Sequence, residues 1–201
     1  MSLRFSYTLI APFYDKIVAK ASESMRKASI DSLEQLTLDN SQVLIVGIGS
    51  GLDIPFLPTG PNYIGLDITP AMLSRARYRV SDQNIKLEIG DATKLPYPAQ
   101  SFDAVIMHLI LAVVPNPNLA LIEAERVLKP GGLILVVDKF LRQGQLALFR
   151  RAISPILGRI ATRTNVVFEE LFAETSSIKV VHDHPQLLNG WFRRILLIKQ
   201  E

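Results

Sequence analysis

The stretch Val43-Leu44-Ile45-Val46-Gly47-Ile48-Gly49-Ser50-Gly51-Leu52-Asp53 decides how the rest of the chain is read. Four apolar, mostly β-branched residues run into three glycines spaced two apart. That order predicts a buried strand, a tight turn and the start of a helix. Glycine suits a point where the backbone turns sharply or where another group approaches it closely. A second apolar run, Tyr63-Ile64-Gly65-Leu66, ends on Asp67, 20 residues past Gly47. An acid at that distance, closing the next strand, is placed to accept hydrogen bonds from ribose hydroxyls.

The glycine spacing is G-x-G-x-G, with Leu52 where the nicotinamide fingerprint would place its third glycine. It resembles the nucleotide loop of class I S-adenosylmethionine (SAM) methyltransferases, and later segments carry the same resemblance in order. Asp67-Ile68-Thr69-Pro70-Ala71-Met72-Leu73 is similar to the family's D-x-S-x-x-M-L stretch. There the acid binds ribose and the next residue packs on adenine. Gly90-Asp91-Ala92 follows an alternating strand, Ile85 to Ile89. In the family this acid reaches the adenine amino group and the next backbone amide reads the ring edge. Leu95-Pro96-Tyr97-Pro98 and Ser101-Phe102-Asp103 resemble L-P-F-x-x-x-S-F-D, and Arg126 to Gly132 resembles R-V-L-K-P-G-G.

The resemblance covers residues 7–140 and implies an α/β fold. A Rossmann-like, mostly parallel seven-stranded sheet with an antiparallel last strand would carry helices on both faces. It also implies SAM as methyl donor, S-adenosylhomocysteine as product, and no metal. Carried over residue by residue, the cofactor contacts are Tyr14, Gly47, Ile48, Gly49, Gly51, Asp67, Ile68, Met72, Asp91, Ala92 and His108. One departure is Ile45, where many relatives carry an acid that contacts the methionine end of SAM.

A chain of 201 residues with 48% hydrophobic and 20% charged content is ordinary for a single globular domain with a sizeable core. The net charge of +3 and the absence of a long basic patch with interleaved aromatics argue against nucleic acid as partner. Zero cysteines exclude disulfides and thiol chemistry, and three histidines are too few for a convincing zinc site. No signal-like apolar core is visible near Met1. The longest apolar run, Ala104 to Val114, is too short to cross a bilayer. A cytoplasmic chain, peripheral at most to the inner membrane face, is the expectation.

Residues 1–40 are expected to form a helical lid, because Leu9, Phe13, Ile17, Ile30, Leu33 and Leu36 fall at helical spacing. Tyr7 to Asp15 reads Tyr-x-x-Ile-Ala-Pro-x-Tyr-Asp and resembles the N-terminal segment of quinone-type and phospholipid methyltransferases. Thr69-Pro70 and Asn116-Pro117 are N-cap and first-turn pairs for helices 71–80 and 117–129, with Pro130-Gly131-Gly132 as the stop. Arg75, Arg77 and Arg79 are read as a solvated face. A helical insertion is expected over 141–175. Within 141–163, Leu146, Phe149, Ile153, Ile156, Leu157 and Ile160 form an apolar stripe flanked by Arg150 and Arg159. That pattern suits either an anionic membrane surface or a cover over the site. Two last strands, 178–181 and 191–199, are joined by the linker His182 to Gly190.

His108 ends the central apolar run at the strand end where open α/β sheets bind ligands. With Tyr14 it is the candidate catalytic residue: His108 to accept a proton, Tyr14 to face a cationic methyl centre. The glycine loop V-G-I-G-S-G-L-x-x-P and the tail around Phe168, His182 to His184 and Phe192 resemble bacterial phosphatidylethanolamine N-methyltransferases. A lipid head-group amine is therefore the first acceptor to consider. C- or O-methylation of a quinone precursor or another small molecule is the second, and a non-catalytic SAM-binding regulatory protein is the alternative of another class.

Overall fold

A computed structural model describes residues 22–33, 39–142, 144 and 165–201. The expected lid tyrosines, Tyr7 and Tyr14, lie outside the described residues. So does nearly all of the 141–163 stripe.

Residues 22–33 form helix α1. The sheet then builds from β1 (Gln42–Val46), β2 (Asn62–Asp67), β3 (Asn84–Ile89), β4 (Phe102–His108), β5 (Leu128–Asp138), β6 (Ile178–Pro185) and β7 (Arg193–Lys199). Its order is β3-β2-β1-β4-β5-β7-β6. The first five strands pair in parallel, and β7 runs antiparallel to both β5 and β6. Helices α2 (Pro70–Arg77) and α3 (Pro117–Val127) link the strands, and the short α4 (Phe168–Phe172) and α5 (Leu187–Gly190) follow β5 and β6.

The apolar run of β1 is buried on both faces, as a central parallel strand requires. Leu44 and Val46 point to one core with Val105, Met107, Ile134 and Val136, roofed by Leu121 and Ala124 of α3. Val43 and Ile45 point to the other with Ala104, Ile106 and Leu135, closed by Ile30 and Leu33 of α1 and Leu73 and Ala76 of α2. Period-two alternation thus divides one apolar run between two cores.

Several boundaries differ from the sequence reading. Helix α3 stops at Val127, not Lys129, and β5 begins at Leu128, which pairs with Phe102. Pro130 disfavours helical backbone at Lys129, so the chain leaves the helix early. Helix α2 ends at Arg77. Its N-cap Thr69 makes no side-chain cap bond, whereas Asn116 accepts from the Leu119 N–H at 3.4 Å. Strand β6 continues through His182 and His184 to Pro185, because β7 supplies partners for that whole span. The return is correspondingly shorter than the expected linker. Arg79 is not a solvated residue: it donates to the Ser50 carbonyl at 2.7 Å and holds the glycine loop.

The family-like motifs turn out to be mutual ties. Arg126 donates to the Tyr97 and Leu95 carbonyls at 2.8 and 3.1 Å, and Glu123 accepts from the Leu95 N–H. Asp103 accepts from the Gln42 N–H and from Lys129, both at 2.8 Å. These contacts pin the edges of β1, β4 and β5 and leave the opposite, carboxyl-terminal ends of the strands to form a site.

Candidate active site

The chain reverses direction of winding between β1 and β4, and a cavity of about 400 Å³ opens there at the strand ends. That volume lies within the range of small-molecule sites. Each strand delivers its last residues to the wall: Gly47 to Gly49 after β1, Asp67 closing β2, Gly90 to Ala92 after β3, and His108 closing β4.

The glycines have different reasons to be glycine. Gly49 has φ +58, and among the described residues a Cβ built on it would meet only the Gly47 carbonyl, at 4.0 Å. It faces the cavity, so a side chain there would take up ligand space. Gly51 has φ +80, and its Cβ would lie 2.9 Å from both Cα and Cβ of Ala76. It allows α2 to pack against the loop and does not line the cavity.

Asp67 is mostly buried. Its Oδ2 accepts from the Gly49 N–H at 2.9 Å and its Oδ1 from the Thr69 N–H at 2.8 Å. Burial raises its carboxyl pKa, opposed by those N–H donors. The carboxylate lines the cavity, where a ligand hydroxyl can donate to it. Asp91 is exposed and accepts through Oδ1 from the N–H and hydroxyl of Thr93, both at 2.8 Å. Buried Ala92 and Met72, with Ile68, complete the apolar wall between the two acids.

At the other end stands a buried polar chain that the sequence reading missed. His108 Nδ1 lies 2.9 Å from Asp53 Oδ1, and its Nε2 lies 3.0 Å from Ser29 Oγ. Arg26 donates from Nη1 to the same Asp53 oxygen at 2.8 Å and from Nε to Ser22 at 3.1 Å. All four of Ser29, Arg26, Asp53 and His108 are buried. Burial pushes the Asp53 carboxyl up, but the charges and hydrogen bonds of Arg26 and His108 outweigh it and hold it well below the usual carboxylate range. His108 Nδ1–H donates to the ionised Asp53, and Nε2 pairs with the Ser29 hydroxyl. Besides His108 itself, the one sequence signal was an acid two residues past the last glycine. Nothing in the pattern of α1 marked Arg26 or Ser29.

Leu109 adds a second missed feature. Its φ is +58, unusual for a branched side chain, and its N–H donates to the Val137 carbonyl at 2.7 Å. The turn sends Leu109 and Ile110 into the cavity wall.

A methyltransferase-domain family model matches residues 44–136. Phosphatidylethanolamine N-methyltransferase of Cereibacter sphaeroides is 29% identical over 184 residues, covering 89% of this chain and 89% of that protein. Demethylmenaquinone methyltransferase of Lactobacillus johnsonii is 34% identical over 142 residues, 66% of this chain and 58% of that protein. A crystal structure of a SAM-dependent methyltransferase from Thermotoga maritima superposes with TM-score 0.73 at 22% identity. It covers 99% of this chain and 100% of that one.

The chain carries a class I SAM-dependent methyltransferase domain. In this methyltransferase, Gly47, Ile48, Gly49, Asp67, Ile68, Met72, Asp91, Ala92 and His108 all line one cavity. Ile45, the departure from the family pattern, is buried in the core behind the loop and presents nothing to the cavity.

Proposed function

We propose that this methyltransferase methylates the amine of a phosphatidylethanolamine-type lipid, with SAM bound in the cavity above. The observation that carries the reading is extent. The likeness to a phosphatidylethanolamine N-methyltransferase runs through nearly all of both proteins, while the likeness to demethylmenaquinone methyltransferases takes in about two thirds of this chain or less.

The cavity fits the cofactor: Gly49 leaves open the space a side chain would fill, and acids stand after β2 and β3. Asp67 would take the ribose hydroxyls, Asp91 and the Ala92 backbone the adenine edge, and Ile68 and Met72 the ring faces. When bound, SAM supplies a methyl group already activated on a sulfonium, so the protein's task is positioning and exclusion of water. The wall from Leu109 to Pro115 is mostly apolar and shields the end of β4. An amine must lose its proton before it attacks. His108 Nε2 carries the lone pair that would accept it, once the Ser29 hydroxyl moves aside. Tyr14 would offer an aromatic face to a methylated ammonium. The 141–163 stripe would supply peripheral contact with an anionic surface.

The test is transfer of label from methyl-labelled SAM into a bacterial membrane extract separated by lipid class, with and without anionic vesicles. Label in methylated ethanolamine lipids, increased by the vesicles, is expected. Label in the quinone fraction would move the acceptor to carbon. That second reading is favoured by 44% identity over 101 residues to the demethylmenaquinone methyltransferase of Tropheryma whipplei. His108→Ala and Tyr14→Phe should each lower turnover, and unchanged turnover would remove their roles. Asp67→Ala is expected to weaken S-adenosylhomocysteine binding roughly ten- to a hundredfold, because hydrogen bonds to a charged group contribute about 1.5–3 kcal/mol each. Calorimetric titration measures it directly.

A further inference from the structure

We infer that Arg26 of α1 is the receptor for the carboxylate at the methionine end of SAM, held in place for it by Asp53. The inference rests on SAM occupying the cavity described above.

The charge pattern of the wall points this way. Asp67 and Asp91 stand after β2 and β3, and Arg26 is the sole lysine or arginine among the described residues that line the cavity. SAM carries a single anionic group, its carboxylate, at the end remote from the nucleoside. With the nucleoside set between the two acids, that end lies toward the loop after β1 and the end of β4, beside Arg26 and His108.

The guanidinium is built to receive an anion there. Its side chain is 7% exposed. Asp53 holds Nη1 and Ser22 holds Nε, both from behind the wall, since neither residue lines the cavity. Among the described residues nothing engages Nη2. A planar guanidinium fixed through two nitrogens has lost its rotamer freedom before the ligand arrives, so less entropy is lost on binding. Asp53 is fixed in turn by His108, and His108 by Ser29 of the same helix. The chain Ser29–His108–Asp53–Arg26 thus starts and ends on α1 and aims one positioned cation at the cavity. With Ile45 buried in the core, no charged group of β1 competes for that end of the ligand.

The experiment compares three ligands on the full chain by calorimetry: S-adenosylhomocysteine, its decarboxylated analogue, and 5′-methylthioadenosine, which lacks the amino-acid end. The wild type is expected to prefer S-adenosylhomocysteine over the decarboxylated analogue by about tenfold or more, the size of a charge-assisted hydrogen bond. Arg26→Met should bind those two alike and keep wild-type affinity for 5′-methylthioadenosine. Arg26→Lys retains the charge beside Asp53 and guards against loss of folding; it should keep part of the preference. A wild type indifferent to the carboxylate would overturn the inference without any variant. So would an Arg26→Met protein that keeps the full preference, or one that loses all three ligands equally. A wild type that binds none of the three sinks the placement of SAM itself, and the inference with it.

Discussion

Asp53→Leu is expected to destabilise the fold by about 3–5 kcal/mol, the cost of removing one partner from a buried ion pair. Asp53 is the hub of the polar chain: one oxygen accepts from Arg26 and faces His108 Nδ1, at 2.8 and 2.9 Å. Leucine would leave the Arg26 guanidinium buried with only Ser22 as described partner. A domain of this size has about 5–15 kcal/mol to lose. Asp53→Asn keeps an acceptor and should cost less. The pH dependence follows from the direction of the shift. The folded carboxyl is held below its ordinary value of 3.8, so the unfolded chain takes up its proton first. The stabilisation is present above pH about 4 and is lost as pH falls toward the folded value. Urea unfolding of wild type and Asp53→Asn should therefore show a gap that is constant at neutral pH and closes below about pH 4. A gap that persists unchanged into acid would mean the carboxylate is not the stabilising species.

Gly49→Val and Gly51→Val are expected to fail in opposite ways. Both positions lie in the left-handed region, so either substitution costs about 1–2 kcal/mol of backbone strain. At Gly51 the new Cβ also lies 2.7 Å from Ile54 Cδ1 and 2.9 Å from the Ala76 backbone, adding overpacking of about 1–3 kcal/mol. Gly51→Val should unfold at markedly lower denaturant. At Gly49, among the described residues, only the Gly47 carbonyl comes within 4.0 Å of the built Cβ, and the added methyls enter the cavity instead. Gly49→Val should stay folded and lose S-adenosylhomocysteine affinity on the order of a hundredfold, if that overpacking falls on the ligand. Equal loss of stability in both variants would show that the cavity does not lie over Gly49.

The strands were legible because their burial is written in the order of residues. An unbroken apolar run such as Val43 to Val46 belongs to a strand covered on both faces. The turn after it was legible because three glycines mark it, and Asp67 because its distance from them is set by one strand–turn–helix–strand unit. Asn116-Pro117 marked a helix start by capping chemistry alone. Ends set by partners were less legible. Strand β6 extends to Pro185 because β7 pairs with it, and α3 ends at Val127 because Leu128 pairs with Phe102.

Sequence alone therefore determined the parallel α/β core, the glycine loop, the two acids after β2 and β3, and the position of His108. Each is a local pattern with a local physical cause. Only the tertiary structure joined Ser29, His108, Asp53 and Arg26, which lie up to 82 residues apart in the chain. It also parted Gly49 from Gly51, giving one to the cavity and the other to α2. Burial supplies the reason. A charge or hydroxyl shut away from water must find a partner, and that partner is chosen by which elements pack together, not by spacing along the chain.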